Sequence, residues 1–158
     1  MKKILIPIVL FGILFISSSQ TYEQQSLADL LPKLLPNQPL ESWVSTIQIN
    51  YFGAMISVHE DGYYFFIEFI LRKSAHFLLF GLLAASLFVV LQNSRLNYIL
   101  AFLLTCTLAV ADEYHQSITG GRTASFHDVI LDSCGAAFFL FLIYVITFIR
   151  RKTILLEH

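Results

Sequence analysis

Residues 63–91 read YYFFIEFILRKSAHFLLFGLLAASLFVVL. The uncharged run inside this stretch, Phe77 to Leu91, is only 15 residues long. A helix needs about 20 residues to cross roughly 30 Å of hydrocarbon. The shortfall disappears if Arg72, Lys73 and His76, which stand directly ahead of the run, enter the membrane region with it. Tyr63, Tyr64, Phe65 and Phe66 then form an aromatic belt at the head of the crossing. The stretch therefore reads as a membrane helix over about 63–91 with ionisable groups in its outer part.

Three more apolar runs share this character: Ile4–Ile16 (13 residues), Leu96–Ala111 (16 residues) and Ser133–Ile149 (17 residues). The whole chain of 158 residues is 56% hydrophobic and 13% charged, with a formal net charge of -1 and a mean hydropathy of +0.69. Soluble domains average about 45–50% apolar and about 25% charged. So much apolar surface in one short domain needs lipid as its solvent. Disorder is excluded, and so is nucleic-acid binding, because no positive excess exists to neutralise phosphates. Cys106 and Cys134 lie in apolar runs and read as packing residues; no metal-finger spacing is present.

The expected fold is all-α: a small multi-pass bundle of four transmembrane helices, at about 4–19, 63–91, 96–116 and 126–149, forming a single domain over 1–155. Leu156-Glu157-His158 reads as the start of an expression tag and is set aside. The first run has two readings. Lys2, Lys3 and Ser17-Ser18-Ser19 fit a cleaved signal peptide, or a retained helix whose serines bond back to carbonyls; the retained helix is the reading adopted. Lys2, Lys3, Arg95, Arg150, Arg151 and Lys152 fall on one side, whereas Lys33, Arg72, Lys73 and Arg122 on the other are offset by acidic residues. This asymmetry places both termini in the cytoplasm and the longer connections outside.

Pro32, Pro36 and Pro39 break the early part of the long outer connection. After them Leu40, Trp43, Val44, Ile47, Tyr51, Ala54, Met55 and Val58 follow helical spacing. An amphipathic helix over about 40–58 is expected here, lying on the outer face or packed across the bundle mouth.

Depth along each crossing, at about 1.5 Å per residue, brings the polar residues together. Measured from the cytoplasmic ends, His76 lies at about 22 Å, Lys73 at about 27 Å, Asp112 and Glu113 at about 24–25 Å, Asp132 at about 25 Å and Asp128 at about 31 Å. Three helices thus place ionisable groups in one outer quarter of the membrane, where such groups should face inward and pair. Glu68, Arg72 and His76 are spaced by four, as are Asp112 and Gln116, and Asp128, Asp132 and Gly135 form one stripe. Gly120-Gly121-Arg122 offers backbone N–H groups and a planar fork to an anion, while Ser125 and Asp128 have capping-box spacing at the start of the fourth helix. Asp128 thus reads as a cap or as a site residue.

In these residues the sequence resembles the VanZ-like membrane proteins. The resemblance rests on Ser18-Ser19-Gln20, on Arg72-Lys73-Ser74-Ala75-His76-Phe77, on Asp112-Glu113 with Gln116, and on Gly121-Arg122 with Ser125, Asp128 and Gly135, and it covers roughly Ile4 to Phe148. Gly120 stands where proline often precedes Gly-Arg, and Asp132 where asparagine is common. The resemblance implies a four-helix protein of the bacterial cytoplasmic membrane, from a family named for resistance to teicoplanin, a lipid-bearing glycopeptide. It carries no reaction with it.

Three functions fit these residues. A binding protein would hold an anionic envelope lipid, or the glycopeptide, with Arg72, Lys73, Gln116, Arg122, Asp128 and Asp132. A membrane enzyme would add Asp112, Glu113 and His76 as candidate acid-base groups. A purely structural network would use the same charges to fix helix register. Expected partners are membrane lipids and not nucleic acid. No cofactor is expected, nor a metal, since Lys73 and Arg122 oppose a cation near His76, His115 and His127.

Overall fold

The computed structural model describes residues 2–51, 53–119 and 125–156. Four long helices dominate: α1 (Lys2–Ser18), α6 (Tyr63–Val90), α7 (Asn97–Ile118) and α8 (Phe126–Leu156). Between α1 and α6 lie α2 (Tyr22–Gln25), α3 (Leu31–Leu34), α4 (Glu41–Val44), strands β1 (Gln48–Tyr51) and β2 (Ala54–Ser57), and α5 (Val58–Asp61). Among the described residues two helices are long and apolar enough to cross a membrane by themselves: α6, with 28 residues, and the Phe126–Thr153 part of α8, also with 28. Their outward faces are apolar, as at Leu78, Leu82, Phe141 and Ile146.

The four helices pack on two small cores. Leu14, Phe80, Leu83 and Ala109 form one, with Leu10 and Val129 against it. Ala84, Ala101, Ala136 and Leu140 form the other, with Phe88 and Phe102 against it. Small residues at these contacts, Ala84, Ala101, Ala109 and Ala136, let the helix backbones approach closely. At Gly135 a side chain would run into the backbone carbonyl of Phe77, and at Gly81 into the ring of Phe139. These two glycines seat α8 against α6.

The expected amphipathic helix over 40–58 is not present. Its residues form α4, the antiparallel β1–β2 hairpin and α5, with Tyr51 opposite Ala54 and Gln48 opposite Ser57. Of Leu40, Trp43 and Val44, only Val44 is buried. Two features decide against helix. Ile47, Ile49 and Tyr51 alternate with polar residues, which suits a strand. Gly53, at φ 78, supplies the left-handed residue that a two-residue hairpin loop requires. A helix through this point would also have met the left-handed Leu40 (φ 61) at its start.

Residues 20–62 thus cap the end of the bundle at which α1 and α7 finish and α6 and α8 begin. The Tyr63 hydroxyl donates to the Pro39 carbonyl at 2.7 Å and that of Tyr64 to the Leu35 carbonyl at 3.2 Å. The aromatic head of α6 therefore ties down the proline-broken segment.

Candidate functional site

At the capped end the ionisable residues of α6, α7 and α8 meet. Lys73 on α6 is bonded to Asp128 on α8. Tyr51, at the end of β1, donates its hydroxyl to the same Asp128 oxygen. The Lys73 ammonium sits 4.7 Å from the Tyr51 ring centroid and 5.6 Å from that of Phe69, so two aromatic faces share its charge. Burial and the adjoining Asp128 carboxylate push the Tyr51 hydroxyl above its usual range, which keeps it protonated as a donor.

One turn deeper, His76 Nδ1 faces Asp132 Oδ2 at 3.6 Å, and the Asp132 side chain is only 3% exposed. Its other oxygen, Oδ1, is buried with no hydrogen-bond partner among the described residues. On α7, Asp112 accepts from Ser18 at 2.5 Å and from Gln116 at 2.7 Å. Glu113 accepts the backbone N–H of Ser125 at 2.5 Å, joining the end of α7 to the start of α8. The charges of Asp112, Asp132 and Lys73 all act on His76, and those of Asp128, Lys73 and Asp132 on Glu113. Lys73, His76, Asp112, Glu113, Gln116, Asp128 and Asp132 therefore belong to one polar centre.

Arg72 does not join it. Its guanidinium bonds Glu68 at 3.3 Å and Gln25 at 3.1 Å and covers the Tyr22 ring at 4.8 Å. Glu68 also accepts the Leu27 N–H at 3.2 Å, and Gln25 donates to the Ser17 carbonyl at 2.5 Å. Arg72 is thus the centre of a clasp that fastens the cap to α1 and α6. The physical reason is its neighbour Glu68, which stands one turn earlier and pairs with it before the site can. Arg122 lies outside the described residues.

The Ser125–Asp128 capping box does not form among the described residues. The Ser125 hydroxyl has no partner there, and the Asp128 carboxylate is held by Lys73 and Tyr51 instead. The terminal serines of α1 behave in two ways. Ser19 bonds back to the Phe15 carbonyl at 2.7 Å, as helix-ending serines do, but Ser18 reaches across to Asp112. Ser19 also lies 3.0 Å from His115 Nε2, and that imidazole stacks on Phe15 with centroids 4.8 Å apart. No group of three or more His, Cys, Asp or Glu side chains among the described residues is arranged to hold a metal ion.

Sequence reasoning missed Tyr51, Ser18 and Ser125. Tyr51 was hidden by the helical reading of its segment; the Ile47, Ile49, Tyr51 alternation was the available signal. Ser18 and Ser125 did carry a signal, as residues of the family resemblance and, for Ser125, at capping-box spacing, but neither was assigned to the site.

Chemically, the centre offers one ammonium, one imidazole, a phenol and four carboxyl groups beneath a small polar cap. It can orient a polar headgroup, and the His76–Asp132 pair can orient a proton. Comparisons with curated proteins and with solved structures each found no match. The family model described as VanZ/LLP1 matches residues 3–149, which reaches all four long helices, α8 as far as Ile149, and takes in every residue of the polar centre. The chain belongs to the VanZ/LLP1 family.

Proposed function

We propose that the protein is a four-span protein of the bacterial cytoplasmic membrane that holds the phosphate-bearing headgroup of an envelope lipid in the polar centre, on the outer side. The observation that carries this reading is the convergence of Lys73, His76, Glu113, Asp128 and Asp132 from three helices at one level, inside a bundle whose outward faces are apolar. An ionised group near lipid must be paired or put to use, and a register device needs far fewer.

The topology follows from length and charge. From Val90 back to Lys73 is about 26 Å along α6, which leaves the ammonium in the outer quarter of a roughly 30 Å core. Both termini are then cytoplasmic, and residues 20–62 cap the outer side. A phosphate entering from the outer leaflet meets Lys73. The family name connects the chain to glycopeptide resistance by name alone.

Native mass spectrometry of gently solubilised protein tests the binding. A phospholipid retained by the wild type and lost in Arg122→Ala and Lys73→Ala supports it, and absence of lipid from all three refutes it. The His76–Asp132 pair at 3.6 Å favours a second reading, acid-base catalysis on a lipid-linked substrate, with Asp112 and Glu113 as further candidates. Turnover that vanishes in Glu113→Gln while lipid is still retained separates enzyme from binder.

A further inference from the structure

We infer that the cap is seated in the outer leaflet, with Leu34, Leu40 and Trp43 inserted among the lipid headgroups as its anchor. The inference rests on the outer-side placement of residues 20–62 in the reading above, and not on the phosphate held by the polar centre. Leu34, Leu40 and Trp43 are 64%, 72% and 66% exposed, whereas Leu31 and Val44 are buried. The short helices α3 and α4 therefore each turn one large apolar residue inward and another out. Apolar side chains gathered on a surface in this way mark a contact with something other than water. Leu40 adds a backbone signal. Its φ of 61 lies in the left-handed region, after Asn37 at 60 and Gln38 at 50, and a bulky side chain seldom stands there. Nothing inside the protein rewards a leucine at this position, since most of it is exposed.

Level and continuity identify what covers these side chains. The Tyr64 hydroxyl holds the Leu35 carbonyl and the Tyr63 hydroxyl the Pro39 carbonyl, so the residues next to Leu34 and Leu40 are fixed to the head of α6. Backbone bonds from Gln38 to Leu35, Glu41 to Gln38 and Trp43 to Leu40 keep the stretch between them tightly folded. From Val90 to Tyr63 is about 40 Å along the helix, and a bilayer with both headgroup layers is about 40–45 Å thick. The anchor thus stands at the outer headgroup layer. Exposed Leu82, Leu78, Leu71 and Phe65 carry the apolar surface of α6 from the middle of the membrane up to that level. Tryptophan favours this layer, because its ring is apolar and its N–H still reaches a polar partner. Asp29 and Glu41 outnumber Lys33 over residues 29–43, so the hold is apolar burial and not attraction to anionic lipid.

Trp43 is the only tryptophan in the chain, so its fluorescence reads this position without any substitution. The full chain in phosphatidylcholine nanodiscs is probed with a nitroxide on the lipid headgroup, a nitroxide deep on the acyl chain, and iodide in the water. The expected result is loss of most of the emission to the headgroup label, with little loss to the deep label or to iodide. Asparagine suits a left-handed backbone, so Leu40→Asn removes the apolar side chain while easing the chain around it. Combined with Leu34→Ser, it should move the quenching of Trp43 from the headgroup label to iodide, with helical content by circular dichroism unchanged. Quenching of the wild type by iodide and not by lipid overturns the inference. Protection from all three quenchers also overturns it, and marks a second copy or another protein as the cover. A double variant with the wild-type profile overturns the role of the two leucines. Phe141→Trp in a Trp43→Phe background, on the outward face of α8, separates this failure from that of the membrane reading. Quenching there by the deep label while Trp43 answers to iodide refutes the seat of the cap alone; no lipid quenching at either position refutes the placement on which it rests.

Discussion

Replacing Gly135 by alanine should destabilise the bundle far more than the same change at the other helical glycines, and the structure gives the reason. A methyl group at 135 would overlap the Phe77 carbonyl oxygen and lie only 3.0 Å from its carbon and 3.2 Å from the Phe77 Cα. That obstacle is backbone inside α6 and moves only if the whole helix does. At 81 the obstacle is the Phe139 ring, with Cε2 at 2.7 Å and Cγ at 2.8 Å, which can turn aside in part. At Gly12 nothing lies within 4 Å of the added methyl. Overpacking costs about 1–3 kcal/mol, and a backbone obstacle belongs at or above the upper end. Replacing an open helical glycine by alanine gains about 0.5–1 kcal/mol. The expected order of stability is therefore Gly12→Ala above wild type, then Gly81→Ala, then Gly135→Ala about 3 kcal/mol below. Thermal unfolding of the three variants in one detergent, followed by circular dichroism, measures it. A Gly135→Ala variant as stable as the wild type would refute the close seating of α8 on α6, and with it the spacing that brings Asp132 to His76.

Other changes probe the polar centre and the topology. Lys73→Met leaves Asp128 to Tyr51 alone; with both side chains about a fifth to a quarter exposed (26% and 19%), the loss should fall between surface and buried pairs, about 1–3 kcal/mol. Adding Asp128→Asn should restore more than half of that loss in a double-mutant cycle. Tyr51 resists ionisation, so the stability it contributes is complete below its ordinary value of 10.0 and declines as pH rises above it, because the unfolded chain then loses a proton that the folded chain keeps. Unfolding midpoints of wild type and Tyr51→Phe should accordingly converge between about pH 10 and 11, and a constant separation would argue against the Asp128 contact. Arg72→Ala should loosen the cap by about 1–2 kcal/mol, a factor of ~5–30 in local opening, read as faster proteolysis between Gln25 and Leu30 with the helices intact. In a background lacking Cys106 and Cys134, cysteine at Glu60 should react with an impermeant reagent added to whole cells and cysteine at Asn93 should not; the reverse pattern overturns the proposed orientation.

The long helices were legible because each rests on an uncharged run that nothing else in the chain imitates. Expected spans at 4–19, 63–91, 96–116 and 126–149 compare with helices at Lys2–Ser18, Tyr63–Val90, Asn97–Ile118 and Phe126–Leu156. The hairpin was not legible for a specific reason. Between Leu40 and Val58 the apolar residues satisfy a period of 3.6 across the whole segment and a period of 2 over Ile47–Tyr51, and the longer pattern outvoted the shorter. Gly53 was the tie-breaker, since its left-handed backbone makes a hairpin loop and is foreign to a helix interior. The error mattered for the site, because it concealed that Tyr51 reaches Asp128.

Depth brought together most residues of the polar centre, and facing separates Arg72, which does not join it. Arg72 and Lys73 have nearly the same depth, yet adjacent positions on a helix point about 100° apart. Lys73 therefore shares a face with His76 and meets α8, whereas Arg72 shares one with Glu68 and meets the cap. Glu68, Arg72 and His76 are spaced by four, but a run of three fourth-neighbours drifts by about 40° each step, so its two ends look toward different partners. Glu68 and Gln25 claim the arginine, and His76 is left to Asp132. This division has a chemical consequence. With Arg72 neutralised inside the clasp, Lys73 is the one lysine or arginine that the described residues give to the polar centre, where it stands against the four carboxyl groups of Asp112, Glu113, Asp128 and Asp132.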